Sequence, residues 1–345
     1  MSFDAVIIGG GLIGGACADT LAGEGLKVCL LDAGRPAREA SWAGAGILHP
    51  IHPWQYPAPL QTLLRAGVAK HPEIAADLLE RTGIDVEWEQ TGLLVMDSEI
   101  GRLESWCGPG SGARRVDART HDPAIQVDGP ALFIPEAASV KNQRLARAFL
   151  EGARRRGAAL RFGTPATRIL ADGVETPSGV IHADKIVVAA GAWAAKLLPE
   201  LSVEPVRGQI LLFENNLNSR LRHMVIFPDG EYAVPRRDGR VLFGSTLEKA
   251  GFEPRPTREA VRDLSERAEA LLGLDSGRLL AAWAGLRPGT PHLRPYIGKH
   301  KDRPNVVLAC GHYRNGILLA PLTGEIVRDV LLERQPRFDL DSFGV

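Results

Sequence analysis

A chain of 345 residues that is 45% apolar and 24% charged has the balance of a globular protein, with length for about two domains. Its 41 basic and 41 acidic residues cancel, which argues against a nucleic-acid surface or an acidic tail. The cysteines, Cys17, Cys29, Cys107 and Cys310, form no C-x-x-C pair; a haem or redox-pair motif is excluded, and buried free thiols in a reducing, cytoplasmic setting are expected.

The chain opens with a strand at 4–8, and neither a secretory leader nor a membrane helix is expected. A glycine turn, Gly9-x-Gly11-x-x-Gly14, leads into a helix from Leu12 to Ala22 that stops near Gly23 and Gly25. The strand KVCLLD follows and ends on Asp32. Strand, glycine turn, helix and acidic-ended strand together are the dinucleotide-binding pattern. Glycines let the backbone approach a pyrophosphate, the helix N-terminus offers free N–H groups, and the carboxylate accepts from ribose hydroxyls. Asp32 would also repel a 2′-phosphate, which argues against NADP.

Residues 48–59 hold four prolines and read as an ordered loop. A helix is predicted from Leu60 to Arg81, with a break near Pro72, and a strand at 92–96. The Gly-, Asp- and Pro-rich stretch 107–130 reads as turns or a surface excursion. Apolar spacing predicts a helix over Asn142–Arg156, and strands follow at 158–162 and 180–191. QILLFE, EYAVP and RVLFGST read as strands of a mainly antiparallel sheet, and Arg258–Leu272 as an amphipathic helix. Strands in RLLAAWAGLRPG and NVVLACG and a closing helix, Ile317–Glu333, complete the chain. The fold class is therefore α/β. A Rossmann-like dinucleotide domain (1–85, 139–203, 283–345) is interleaved with a β-rich substrate domain (86–138, 204–282).

Three glycine turns, at 9–14, at Ala190-Gly191 and at Cys310–Gly316, suit an extended FAD better than NAD. The last would set a helix N-terminus against the flavin ring. Arg287, at the end of the apolar run LLAAWAG, is a candidate clamp for a substrate carboxylate; a salt bridge to a buried acid is the alternative. Tyr232 could donate to the same carboxylate or simply pack in the core. Arg314 could offer its side chain or a backbone carbonyl. His49 and His52 lack a third ligand in reach, so no metal is expected. Arg154–Arg156 reads as a solvated helix end. Neither a Gly-x-Ser-x-Gly elbow nor a Walker lysine is present.

The segments VIIGGGLIGG with LLDAG, SWAGAGIL (41–48), VVAAGAW (187–193), YAVPRRDGRVLFGST (232–246), AGLRPGTP (284–291), PYIGKH (295–300) and GHYRNGILLAP (311–321) resemble the D-amino-acid oxidase family of flavoproteins over essentially the whole chain. The resemblance implies non-covalent FAD held by Gly9, Gly11, Leu12, Ile13, Gly14, Asp32, Ala33, Ser41, Trp42, Ala43, Gly44, Gly46, Ala166 (with its neighbours from Thr164), Ala190, Gly191, Trp193, Arg287, His312, Arg314, Asn315, Gly316, Ile317 and Leu318. It also implies a substrate carboxylate on Arg287 and Tyr232, an amine on the Arg314 carbonyl, and the 48–59 loop as cover, with Trp54 and Tyr56 as pocket walls. The implied activity is oxidative deamination of glycine, sarcosine, other N-substituted glycines or small D-amino acids to the imine and 2-oxo acid. Oxygen is reduced to hydrogen peroxide, in thiamine (thiazole) synthesis, by a cytoplasmic homotetramer without nucleic-acid or membrane partners. A dehydrogenase using another acceptor and a non-catalytic flavin-binding protein stay open. Gly230, Glu231 and Leu247 depart from residues common in the family, which leaves the exact amine open.

Overall fold

In the computed structural model, which describes residues 2–96, 98–214 and 220–344, the chain opens with β1 (Phe3–Ile8), α1 (Leu12–Gly23) and β2 (Val28–Leu31). Ala5 and Ile7 are buried on one face of β1, and Val6 and Ile8 on the other. The strand is thus covered on both sides, as its unbroken apolar run requires. The short α2 (Ala40–Ala43) and the long α3 (Ala58–Thr82) follow.

α3 does not break near Pro72, contrary to the sequence reading. A proline inside a helix costs about 3 kcal/mol. Leu60, Leu63, Leu64 and Leu78 are buried along the same helix. Each such side chain contributes about 1.5–3 kcal/mol, which outweighs that cost. His71, next to the proline, donates from Nε2 to the Leu318 carbonyl at 3.0 Å and ties the helix down at this point.

β3 (Leu93–Val95) and α4 (Ile100–Cys107) come next. The stretch 107–130, read as turns, contains β4 (Arg114–Asp117) and α5 (Ala118–His121). Arg114, Arg115 and Asp117 are exposed. β4 lies at the margin of its sheet, paired among the described residues only with β5 (Pro130–Ile134), so it needs no apolar face; charged edge strands of this kind hide their alternation.

The remaining elements are α6 (Asn142–Arg155), β6 (Ala159–Arg161), β7 (Arg168–Leu170), β8 (Gly173–Thr176), β9 (Gly179–Val188), α7 (Ala194–Leu197), β10 (Glu204–Glu214), β11 (Met224–Ile226), β12 (Tyr232–Pro235) and β13 (Arg240–Gly244). α8 (Arg258–Leu272), β14 (Leu279–Gly289), β15 (Tyr296–His300), β16 (Arg303–Cys310) and α9 (Gly316–Leu331) close the chain.

One sheet runs β15-β16-β9-β1-β2-β6, with β8 and β7 extending from β9. Its β16, β9, β1, β2 and β6 are parallel, and Leu308, Val188 and Ile8 lie side by side near their C-terminal ends. The turns after these strands, at Gly9, Ala190 and Gly311, therefore gather at one rim, where α/β sheets bind ligands. The other sheet runs β14-β10-β13-β12-β11-β3-β5-β4 and is antiparallel except for β11 with β3. On it, Leu211, Ala233 and Phe243 face the core under α8, while Ile210, Tyr232 and Val234 face the opposite way. β14 runs unbroken past residue 283 and pairs with β10 along its length, so Arg287 is carried by this second sheet.

Candidate active site

The glycine turn is dictated by contact distances. At Gly9 (φ +112°) an added Cβ would lie 2.4 Å from the Ala189 carbonyl oxygen, and at Gly14 it would lie 1.8 Å from that of Gly9. Helix α1 can cross its own strand this closely only without side chains there. α1 has no side-chain cap from its own N-cap, Gly11; the hydroxyl of Ser41 accepts from the Leu12 amide at 2.8 Å instead. Asp32 accepts from the Gly10 and Gly34 amides at 2.7 and 2.8 Å, one bond to each oxygen. Its carboxylate thus braces two turns and keeps a lone pair on each oxygen for a further donor.

The 41–46 segment is held from three sides. Asn142 Nδ2 donates to the Ser41 and Trp42 carbonyls at 2.6 and 3.0 Å, and Trp283 Nε1 to the Ala43 carbonyl at 3.1 Å. Arg236, buried beneath, donates to the Ala45 and Val140 carbonyls at 2.7 and 3.0 Å. Burial pushes this guanidinium down to about 10, so it remains charged at neutral pH.

The turn before α9 is equally fixed. Tyr313 (φ +48°) donates its amide to the Pro288 carbonyl at 3.0 Å. His312 Nε2 meets Thr323 Oγ1 at 3.0 Å, and complete burial pushes its imidazole down to about 3, so the ring is neutral. α9 begins at Gly316 without a side-chain cap, leaving its first amides and positive dipole end at the rim.

These segments enclose a cavity of about 750 Å³, within the range of cofactor and ligand sites. Of the sequence-predicted residues it is lined by Gly9, Gly11, Leu12, Ile13, Asp32, Ala33, Ser41, Ala43, Gly44, Gly46, Thr164, Ala166, Ala190, Gly191, Trp193, His312, Asn315, Gly316 and Ile317, and also by Tyr232, Arg287 and Arg314. Gly14, Trp42 and Leu318 do not line it. Gly14 acts through the close helix crossing, Trp42 stacks edge-on against Trp283 with centroids 5.1 Å apart, and Leu318 is core. Trp54 and Tyr56 are not walls of this cavity either. Trp54 donates to Glu99 at 3.2 Å beside a separate small void, and Tyr56 is buried with its side chain hydrogen-bonded to Asn315, so only His49 and Ile51 of the proline-rich loop line the main space.

Arg287 donates from Nη2 to Ser245 Oγ at 2.6 Å and from Nη1 to the Thr246 carbonyl at 3.2 Å. Among the described residues it has no carboxylate within ion-pair distance. The alternative of a structural salt bridge is thereby removed, and a half-buried cation faces the cavity balanced only by neutral oxygens. Tyr232 is buried on the same side, and among the described residues its hydroxyl has no hydrogen-bond partner. Arg314 is exposed at the cavity margin.

Several lining residues escaped the sequence reading. Arg35, Arg38 and Lys196 add positive charge along the cavity; nothing in their spacing marks them. His49 lines it as a neutral imidazole, pushed down to about 4 by burial, with Nδ1 2.9 Å from the Pro50 carbonyl. Gly208 lies under Arg287, where an added Cβ would stand 2.1 Å from Nη1. A glycine inside a strand was the available signal for such a close approach. Among the described residues no cluster of metal-ligating side chains occurs, and no helix is long and apolar enough to cross a membrane.

The model of the family described as FAD dependent oxidoreductase (DAO) matches residues 4–330. The chain is 37% identical to glycine oxidase of Pseudomonas putida, over 98% of this chain and 97% of that protein. It is 34% identical to the bifunctional protein ThiO/ThiG of Trichormus variabilis, over 97% of this chain and 53% of that one. The crystal structure of glycine oxidase from Geobacillus kaustophilus superposes with a TM-score of 0.94, at 32% identity, covering 99% of this chain and 98% of that one.

Proposed function

Because this chain belongs to the DAO family of FAD dependent oxidoreductases, we propose that it is a glycine oxidase: glycine, oxygen and water give glyoxylate, ammonia and hydrogen peroxide. The observation that carries the reading is Arg287, a cavity-facing guanidinium with neutral partners only among the described residues. A carboxylate completes it with bidentate, charge-assisted bonds. Tyr232 offers its hydroxyl to the same group.

The residues present fit FAD, since the cradles at Gly9 and Gly11 and the uncapped N-terminus of α9 lie along one cavity. Gly11 to Ile13 would face the pyrophosphate, Asp32 the ribose hydroxyls, and His312 to Ile317 the ring. When bound, FAD supplies the hydride acceptor, which oxygen then regenerates. The protein's own part is positioning. Arg287 and Tyr232 hold the carboxylate, the Arg314 carbonyl accepts from the amine, and the amine must be neutral to release hydride from its α-carbon. The flavin is held without a covalent bond. In support, Cys310 is a fully buried thiol pushed up to about 12 and His312 is engaged by Thr323, so neither is an activated nucleophile. Acid precipitation that leaves flavin on the protein would refute this.

Arg287→Ala is expected to lose roughly 2–4 kcal/mol of substrate binding. That is about 30- to 1,000-fold in kcat/KM for glycine. Near-wild-type kcat/KM would remove the assignment. The same oxygen-electrode assay, run with glycine, sarcosine and D-alanine, ranks the amines. Flavin bleaching without peroxide would mark a different electron acceptor. The cofactor part comprises 1–85, 139–203 and the chain after β14, with the rest binding substrate; hydrogen exchange of apoprotein with and without FAD tests this division. The expected site of action is the cytoplasm, where the free cysteines stay reduced, as a homo-oligomer in thiazole synthesis. Light scattering and cell fractionation check these points.

A further inference from the structure

Both oxygens that hold the Arg287 guanidinium come from one short segment, Ser245 and Thr246. What fixes that segment is Glu248. Its Oε1 accepts from the Thr246 hydroxyl and from Gln209 Nε2 at 2.7 Å. Its Oε2 accepts from Arg207 Nε at 3.1 Å and from Arg207 Nη2. The backbones of Arg207 and Glu248 exchange two further bonds at 2.9 and 3.0 Å. Gln209 donates its amide to Thr246 Oγ1 at 3.0 Å, and its side-chain oxygen accepts from the Thr257 amide at 2.7 Å, at the cap of α8. Burial works against this carboxylate, but Thr246, Arg207 and Gln209 together hold it below the usual range, so it is ionised at neutral pH.

We infer that Glu248 is a positioning residue for substrate binding: it absorbs the charge of Arg207 and pins Thr246, so that Arg287 stands in one orientation with its own charge left for the substrate carboxylate. Among the described residues Glu248 makes no hydrogen bond or ion pair with Arg287, and it is not among the residues that line the cavity. It acts through Thr246. Arg207 and Gly208 are adjacent on β10, with Gly208 directly under the Arg287 guanidinium, so the two arginines take opposite charge environments within one stretch of strand. One is paired by the protein; the other is kept for the ligand.

The inference rests on the carboxylate-clamp reading of Arg287, and the test separates the two. Acetate, which cannot be oxidised, is titrated into the holoenzyme and followed by its perturbation of the flavin spectrum. Steady-state constants for glycine are measured in parallel. For Glu248→Ala the acetate Kd and the glycine KM are each expected to rise about tenfold, a change of about 1.4 kcal/mol. The kcat at saturating glycine should stay within about twofold and the flavin content at one per chain. Thr246→Val, which keeps the Arg207–Glu248 pair and the backbone carbonyl, should shift the same two constants in the same direction by a smaller factor, and Glu248→Gln should recover part of the loss. Unchanged acetate Kd and KM in a folded, flavin-loaded Glu248→Ala enzyme would overturn the inference, as would kcat and flavin content falling with KM unmoved. If Glu248→Ala does not fold, Thr246→Val decides on the same criteria. Arg287→Ala is the control: weakened acetate binding there with unaltered Glu248 and Thr246 variants removes this inference alone, whereas unaltered acetate binding in Arg287→Ala removes the clamp itself.

Discussion

Gly208 shows how a residue without a side chain can set a binding site. Its missing Cβ is the space the Arg287 guanidinium occupies, with Nη1, Cζ and Nη2 all within 2.3 Å of where that atom would lie. Gly208→Ala must therefore displace the guanidinium. Glycine KM should rise by about tenfold or more, equivalent to about 1.4 kcal/mol, while FAD affinity stays unchanged; steady-state kinetics and a flavin titration check the two halves. The glycine was visible in the sequence, but the partner it makes room for was not. That pairing depends on the register between β10 and β14, in which Gly208 opposes Gly285 and Val206 opposes Arg287. Asp32 was legible in the same partial way. Its acidity and place after β2 were readable, whereas its bonds to the Gly10 and Gly34 amides appear only in the fold.

Among the elements, α1 has the narrowest tolerance. A Cβ at Gly14 would meet backbone, the Gly9 carbonyl, which cannot rotate away. Gly14→Ala should weaken FAD binding on the order of 100-fold, about 2.7 kcal/mol, in a fluorescence titration of apoprotein. At its other end α1 is joined to α3 and α6 by Asp19, which pairs with Arg81 at 2.8 Å and Arg156 at 3.1 Å. Removing a buried ion-pair partner costs about 3–5 kcal/mol. Arg81 and Arg156 keep 23% and 33% of their side chains exposed, so Asp19→Ala should cost less, about 2–3 kcal/mol, in urea denaturation of the apoprotein. Legibility at this scale followed the source of stability. Buried parallel strands and amphipathic helices announce themselves by composition, and α8 spans Arg258–Leu272 as read. α3 crosses Pro72 because tertiary burial overrides local propensity, and β4 hides because an edge strand is polar.

For the whole molecule, buried histidines set the acid limit. Burial pushes His49 and His71 down to about 4 and His312 to about 3. All three lie below the unfolded value of about 6.5, so on acidification the unfolded chain takes up these protons first. The stability they contribute is complete above about pH 6.5 and is lost as the pH falls toward about 4. The loss is about 1.4 kcal/mol per pH unit for each histidine. Urea titrations at about pH 7, 5.5 and 4.5 should show this decline, and His71→Asn should make it shallower; a flat profile would contradict the neutral assignments.

Pro288, the residue after Arg287, takes the Tyr313 amide on its carbonyl, and so one main-chain bond spans from the strand that bears the proposed clamp to the turn that opens α9. The gap between that strand and that turn is thus a fixed length of polypeptide, a ruler that drift of the surrounding side chains leaves intact. With Arg287 and its partners kept, altered walls would change which acids enter, while each acid seated on the proposed clamp would stand at a similar distance from a flavin ring bound behind that turn. Variants selected for new amines are then expected to diverge in affinity and to keep similar deuterium isotope effects on the chemical step.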